Sequence, residues 1–164
     1  MFKVAMIPLF VFVSFLSLAQ NALDKGNAYI KEGKFEEAIT FFDDYTTQYP
    51  EEPHGYFKLG LASLEMMKIK KAIIAFSQSI ALGKQGGAVY NNRALAYTYN
   101  HQFFNAIKDY TKVIELDKES GMAYYNRGLM YFNVGENQKA LTDLNSAIQY
   151  SSKAFEIYLD RANI

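Results

Sequence analysis

Tyr90-Asn91-Asn92-Arg93-Ala94 returns as Tyr124-Tyr125-Asn126-Arg127-Gly128 and again as Tyr158-Leu159-Asp160-Arg161-Ala162. Each step is 34 residues, and a fixed period of that length marks stacked supersecondary units. Outward from Tyr90 the same units show a large residue, a small one four later, an aromatic three further on, an alanine nine beyond, and an aromatic after four more. Tyr90, Ala94, Tyr97, Ala106 and Tyr110 satisfy that order, and Tyr124, Gly128, Tyr131, Ala140 and Leu144 follow it with leucine last. Upstream, Gly26, Tyr29, Ala38 and Phe42 keep it with Ala22 weak in the first place; Tyr56, Gly60, Ala72 and Phe76 keep it with Ser63 instead of an aromatic. The units are 19–52, 53–86, 87–120 and 121–154.

In period and pattern these units resemble the tetratricopeptide repeat, a helix-turn-helix module. The resemblance runs along nearly the whole chain after residue 19. It implies an all-α, right-handed superhelical solenoid of about four units, with 155–164 as a C-terminal capping helix. Close packing explains the small residues: Gly26, Gly60, Ala94 and Gly128 let the first helix of each unit approach the alanine side of the second. The aromatics then fill the wedge between units, leaving each repeat a face that only a neighbour buries. Helices are predicted over 22–32, 35–48, 54–67, 69–82, 88–100, 103–116, 122–134, 137–150 and 153–163, with breaks at Gly33 and Gly135 and no strands.

Composition narrows the function. Lysine plus arginine and aspartate plus glutamate both total 17 in 164 residues, so the basic field that nucleic acid needs is missing and no nucleic-acid partner is expected. Cysteine is absent, which removes disulfides, thiolate metal sites and a cysteine nucleophile. His54 and His101 stand 47 residues apart with no ligand at metal-binding spacing. No serine sits in a Gly-x-Ser-x-Gly elbow, and Gly83-Lys84-Gln85-Gly86-Gly87 lacks the hydroxyl residue that follows lysine in a phosphate loop. Adjacent carboxylates such as Glu36 and Glu37 diverge on a helix and cannot share one substrate. No enzyme activity, catalytic residue, metal or cofactor is expected.

The first nineteen residues read as an address. Lys3 supplies a positive charge, and residues 4–19 form an apolar run interrupted by Pro8. The run is shorter than the roughly 20 residues that span a bilayer, and Ser17 and Ala19 are the small residues that signal peptidase reads. A signal peptide over 1–19, cleaved between Ala19 and Gln20, is therefore expected, leaving the domain at 20–164 with no stable membrane span. A periplasmic or secreted location follows.

Two further sets of residues stand out. Arg93 and Arg127 occupy the seventh place of their units, and Asp109 and Asp143 the twenty-third of the same units. Structural ion pairs within each unit are the favoured reading; pairing of Arg127 with Asp109 and Arg161 with Asp143 across unit boundaries is the alternative.

By the resemblance, first helices line a concave groove. Its candidate partner-binding residues here are Phe57, Leu61, Leu64, Asn91, Leu95, Tyr99, Met122, Tyr125, Leu129 and Phe132. Such an apolar surface implies a protein or peptide ligand, unless the superhelix closes on itself or the C-terminal helix folds into it. One branch of the family grips acidic C-terminal tails with a two-carboxylate clamp. Asn27 and Asn92 match separate clamp positions, but Leu23, Phe57, Met122 and Asn126 replace its cations, so acidic tails are not expected to bind. The reading is an exported interaction scaffold that receives a peptide or helix in an apolar groove. The alternatives are a self-assembling repeat protein, a homo-oligomer stacked end to end, and a non-catalytic accessory subunit of an envelope complex.

Overall fold

The structure, a computed structural model, describes residues 22–150 together with 157, 158, 161 and 162. Eight long helices occur among them: α1 (22–31), α2 (Phe35–Gln48), α3 (Pro53–Glu65), α4 (Ile69–Ala81), α5 (Gly87–Tyr99), α6 (Phe103–Leu116), α7 (Gly121–Asn133) and α8 (Asn137–Tyr150). Residues 157–158 and 161–162 are also helical, and the described residues contain no strand. The expected bounds of these eight helices hold to within two residues. The expected signal at 1–19 lies outside the described residues, as does most of the helix expected over 153–163.

Each helix from α2 onward packs against the next, and α3 also touches α5. The result is an all-α solenoid of helical pairs. Ala38, Ala72, Ala106 and Ala140, one per unit, are completely buried. Core clusters pass from unit to unit: Phe42 and Tyr45 pack with Leu59 and Ala75, and Leu64 and Phe76 pack with Val89 and Ala96. No unit closes its own core, which is the energetic reason the repeats must stack. At the far end Ile157 completes a cluster with Leu144 and Ala147. The C-terminal segment thus covers the end of the stack at that point.

The four first helices end alike. A backbone N–H reaches back five residues from Lys34 to Tyr29 (2.9 Å), Lys68 to Ser63 (2.8 Å), Gln102 to Tyr97 (2.8 Å) and Glu136 to Tyr131 (2.9 Å). That closure requires a left-handed residue just before the donor, and Gly33, Met67, His101 and Gly135 supply it with φ of 72°, 53°, 55° and 79°. Two of the four are not glycine. Left-handed backbone costs an L-residue about 1–2 kcal/mol, and the greater freedom of unfolded glycine offsets about half of any gain from relieving it. Met67 is largely exposed and packs little. Met67→Gly is therefore expected to stabilise the protein by about 0.5–1 kcal/mol, read as a higher urea midpoint; an unchanged or lower midpoint would mean the turn carries no strain.

Candidate functional site

Three residues of the expected groove stand out in solvent: Tyr99 is 49% exposed, Met122 55% and Phe132 43%. They lie on α5 and α7, the first helices of the third and fourth units. These helices are tied together by the Thr98 hydroxyl, which donates to the carbonyl of Ala94 and lies 3.3 Å from the Met130 sulfur. Leu61, Asn91, Leu95 and Leu129 are half-buried. Leu61 and Leu95 back onto the core of the second and third units, and Leu129 onto that of the third. They form a floor rather than free anchors.

The second and fourth units depart from expectation at three positions. Leu64 is only 8% exposed and belongs to the core with Phe76 and Val89. Its unit carries small Ser63 where the others carry tyrosine, and Leu64 is core there rather than groove surface. Phe57 packs on Phe76, with ring centroids 6.0 Å apart, and the Lys84 ammonium lies 4.9 Å from its ring centroid. Tyr125 packs on the cluster of Leu144, Ala147 and Ile157. All three help hold the stack together. Of the residues expected to line the groove, those most open to a partner therefore lie on α5 and α7.

The arginines follow a geometry that repeats. Arg93 donates from Nε to Asp109 Oδ2 (2.7 Å) and from Nη2 to Oδ1 (2.8 Å). Arg127 makes the same two bonds to Asp143, at 2.7 and 2.8 Å. Both pairs lie within their units. The remaining Nη1 reaches back to the preceding second helix, from Arg93 to the Ser77 hydroxyl (3.1 Å) and from Arg127 to the Thr111 hydroxyl (3.0 Å). Among the described residues Arg161 makes the backward bond, to Asn145 Oδ1 at 2.8 Å, and none to Asp143. The hydroxyl partners had no signal in the 34-residue pattern, although Ser77, Thr111 and Asn145 share one register position.

Each guanidinium also lies between two rings, Arg93 between Tyr90 and Tyr97, Arg127 between Tyr124 and Tyr131. Burial opposes the charge on both arginines, but hydrogen bonds and charge from Asp109 and Asp143 outweigh it and raise both pKa values. The four side chains are 6–17% exposed. This is a staple between three helices, in which each guanidinium's charge is met by the carboxylate of its own unit.

Among the described residues no group of three or more His, Asp or Glu side chains is placed to hold a metal ion. His54 pairs with Glu52 at 2.6 Å, and the same carboxylate caps α3 by accepting from the Gly55 N–H at 2.9 Å. No helix among the described residues is long and apolar enough to cross a membrane.

A family model described as tetratricopeptide repeat matches residues 23–86 and 91–161. Among solved structures, a MamA RS-1 double mutant superposes with a TM-score of 0.82 at 16% identity, covering 88% of this chain and 82% of that one. MamA from Desulfovibrio magneticus RS-1 gives 0.74 at 20% identity over 80% and 75%. The OM64 tetratricopeptide domain of Arabidopsis gives 0.63 at 22% over 68% and 92%. At these identities the likeness is one of fold. No curated protein matches the sequence. The family model spans the same four stacked units that the 34-residue period marks, and the chain belongs to the tetratricopeptide-repeat family.

Proposed function

We propose that this protein is an exported scaffold that receives a peptide or helix of a protein partner along α5 and α7. The tetratricopeptide fold is a protein–protein interaction scaffold, and repeat proteins of this kind are in general non-catalytic. The observation that carries the site is the set of Tyr99, Met122 and Phe132, large apolar side chains in solvent on two first helices joined through Thr98 and Met130. Burying one such side chain contributes roughly 1.5–3 kcal/mol, so three anchors support micromolar binding after the costs of association. The balanced charge favours a protein over nucleic acid.

Because these three residues are exposed, polar substitution separates binding from folding. Tyr99→Glu, Met122→Glu and Phe132→Glu together are expected to abolish capture of the native partner, with the helical circular dichroism signal and thermal midpoint nearly unchanged. Leu95 and Tyr125 serve this purpose poorly, since both are half-buried against core clusters. Capture that survives the triple substitution moves the site elsewhere. Since the three anchors are uncharged, wild-type capture should also persist in moderate salt.

Export rests on residues 1–19, a charge followed by a short apolar run ending in small residues. The mature protein should be periplasmic or secreted and begin at Gln20. Mass spectrometry finding an intact Met1 in a membrane fraction would replace the cleaved signal by an anchor.

A further inference from the structure

Two of the inter-unit junctions are filled by the chain's own arginine, and a third is not. Arg93 and Arg127 each meet one carboxylate in their own unit, one neutral polar group on the preceding second helix, and a tyrosine three residues before them. In the second unit the register positions of arginine and aspartate hold Leu59 and Ala75. There the structure has an open cleft of about 530 Å³ between α2, α3 and α4, lined by Asp43, Tyr56, Leu59, Lys71 and Ala75 among others. None of the groove residues lines it.

What remains in the cleft is the surround of a guanidinium without the guanidinium. Tyr56 stands in the register of Tyr90 and Tyr124, the rings that lie beside Arg93 and Arg127. Asp43 stands in the register of Ser77, Thr111 and Asn145, which accept from the three arginines. It is the one charged member of that series. The cleft therefore keeps one carboxylate, moved from the unit's own second helix to the preceding one. The second ring is lost, because Ser63 replaces the tyrosine. Lys71 at present pairs with Asp43, but both side chains are well exposed, at 38% and 44%, and an ion pair so placed contributes little and yields readily to a better donor. A guanidinium is that donor, since its planar fork suits a carboxylate and its face suits a ring.

We propose that this cleft is a docking site for an arginine side chain of a protein partner, which stacks on Tyr56 and hydrogen-bonds to Asp43 in place of Lys71. The site is separate from the groove, so its failure would leave the groove reading standing. The test is a titration of the protein with N-acetyl-arginine amide, followed by nuclear magnetic resonance of Tyr56, Ala75 and Gln78. Saturable shifts at those residues are expected, in the millimolar range appropriate to a single side chain. N-acetyl-lysine amide should bind about fivefold or more weakly, because it lacks the planar fork. Asp43→Asn should weaken the arginine probe about tenfold or more, and Lys71→Met should strengthen it severalfold by removing the internal competitor. The paired substitution Leu59→Arg with Ala75→Asp gives the cleft a staple of its own and should abolish binding. Shifts absent from the cleft, equal binding of the lysine probe, or affinity indifferent to Asp43→Asn would each overturn the proposal.

Discussion

Replacing Gly60 by alanine is expected to destabilise the protein by about 1–3 kcal/mol, although alanine is the better helix former. A Cβ at that position falls 2.5 Å from Cε1 of Phe76, a ring that is completely buried. Neither partner has room to yield, because Phe76 sits within the cluster of Leu64, Ala72 and Val89. Gly128 occupies the same register in the fourth unit but faces Leu144, and its nearest contacts to an added Cβ are 3.3 Å. Gly128→Ala should therefore move stability by under about 1 kcal/mol. The two sites also predict a rescue. In a Phe76→Leu background, which copies the fourth unit, Gly60→Ala should become nearly neutral. Urea unfolding of the two singles and the double would show this as a coupling of about 1 kcal/mol or more. Additive effects would mean the helices can part at little cost.

Asp109→Ala is expected to cost about 3 kcal/mol or more, the penalty of stranding a largely buried guanidinium. Arg93 is only 17% exposed, and among the described residues its two bonds to Asp109 are its only carboxylate contacts. Arg93→Leu should be damaging for the converse reason, since it leaves Asp109 buried at 5% exposure with no cation. The double substitution has a precedent inside the molecule, for Leu59 and Ala75 hold these positions in the second unit. It should recover most of the loss, leaving a coupling energy of about 2–3 kcal/mol in the cycle. Thermal or urea midpoints of the four proteins measure it. A double variant no better than the worse single would show that the staple is needed for folding itself.

The solenoid could be read from residues because the 34-residue register encodes backbone geometry directly. The turns after the first helices fall one period apart, and the eight described helices begin and end within two residues of where that register puts them. Gly33 and Gly135 announced two of those turns. His101 falls in the gap expected between 100 and 103, whereas Met67 was expected to end the helix over 54–67; both take left-handed backbone because the hydrogen-bonded closure imposes it. The arginine–aspartate pairs were visible as co-occurring charges; their third leg, to Ser77 and Thr111, was not, because a hydroxyl in the preceding unit has no pattern of its own. Groove membership was the least legible part. Register says which positions share a face, but exposure depends on what fills the neighbouring space. Leu64 sank into the core beside small Ser63, and Phe57 was covered by Lys84. The cleft beside Tyr56 arises from a missing arginine, which becomes visible only when the filled junctions are set beside the open one.

The claim that α5 and α7 hold the partner is tested most directly by photo-cross-linking in the producing cells. p-Benzoylphenylalanine placed at Tyr99, Met122 or Phe132 lies on the proposed surface; the same residue at Phe104 or Leu116 is an exposed control on the second helix α6. One adduct of common mass from all three first-helix positions, and none from the controls, is the result this account predicts. Adducts from Phe104 and Leu116 alone, or only adducts of the chain with itself, would contradict it.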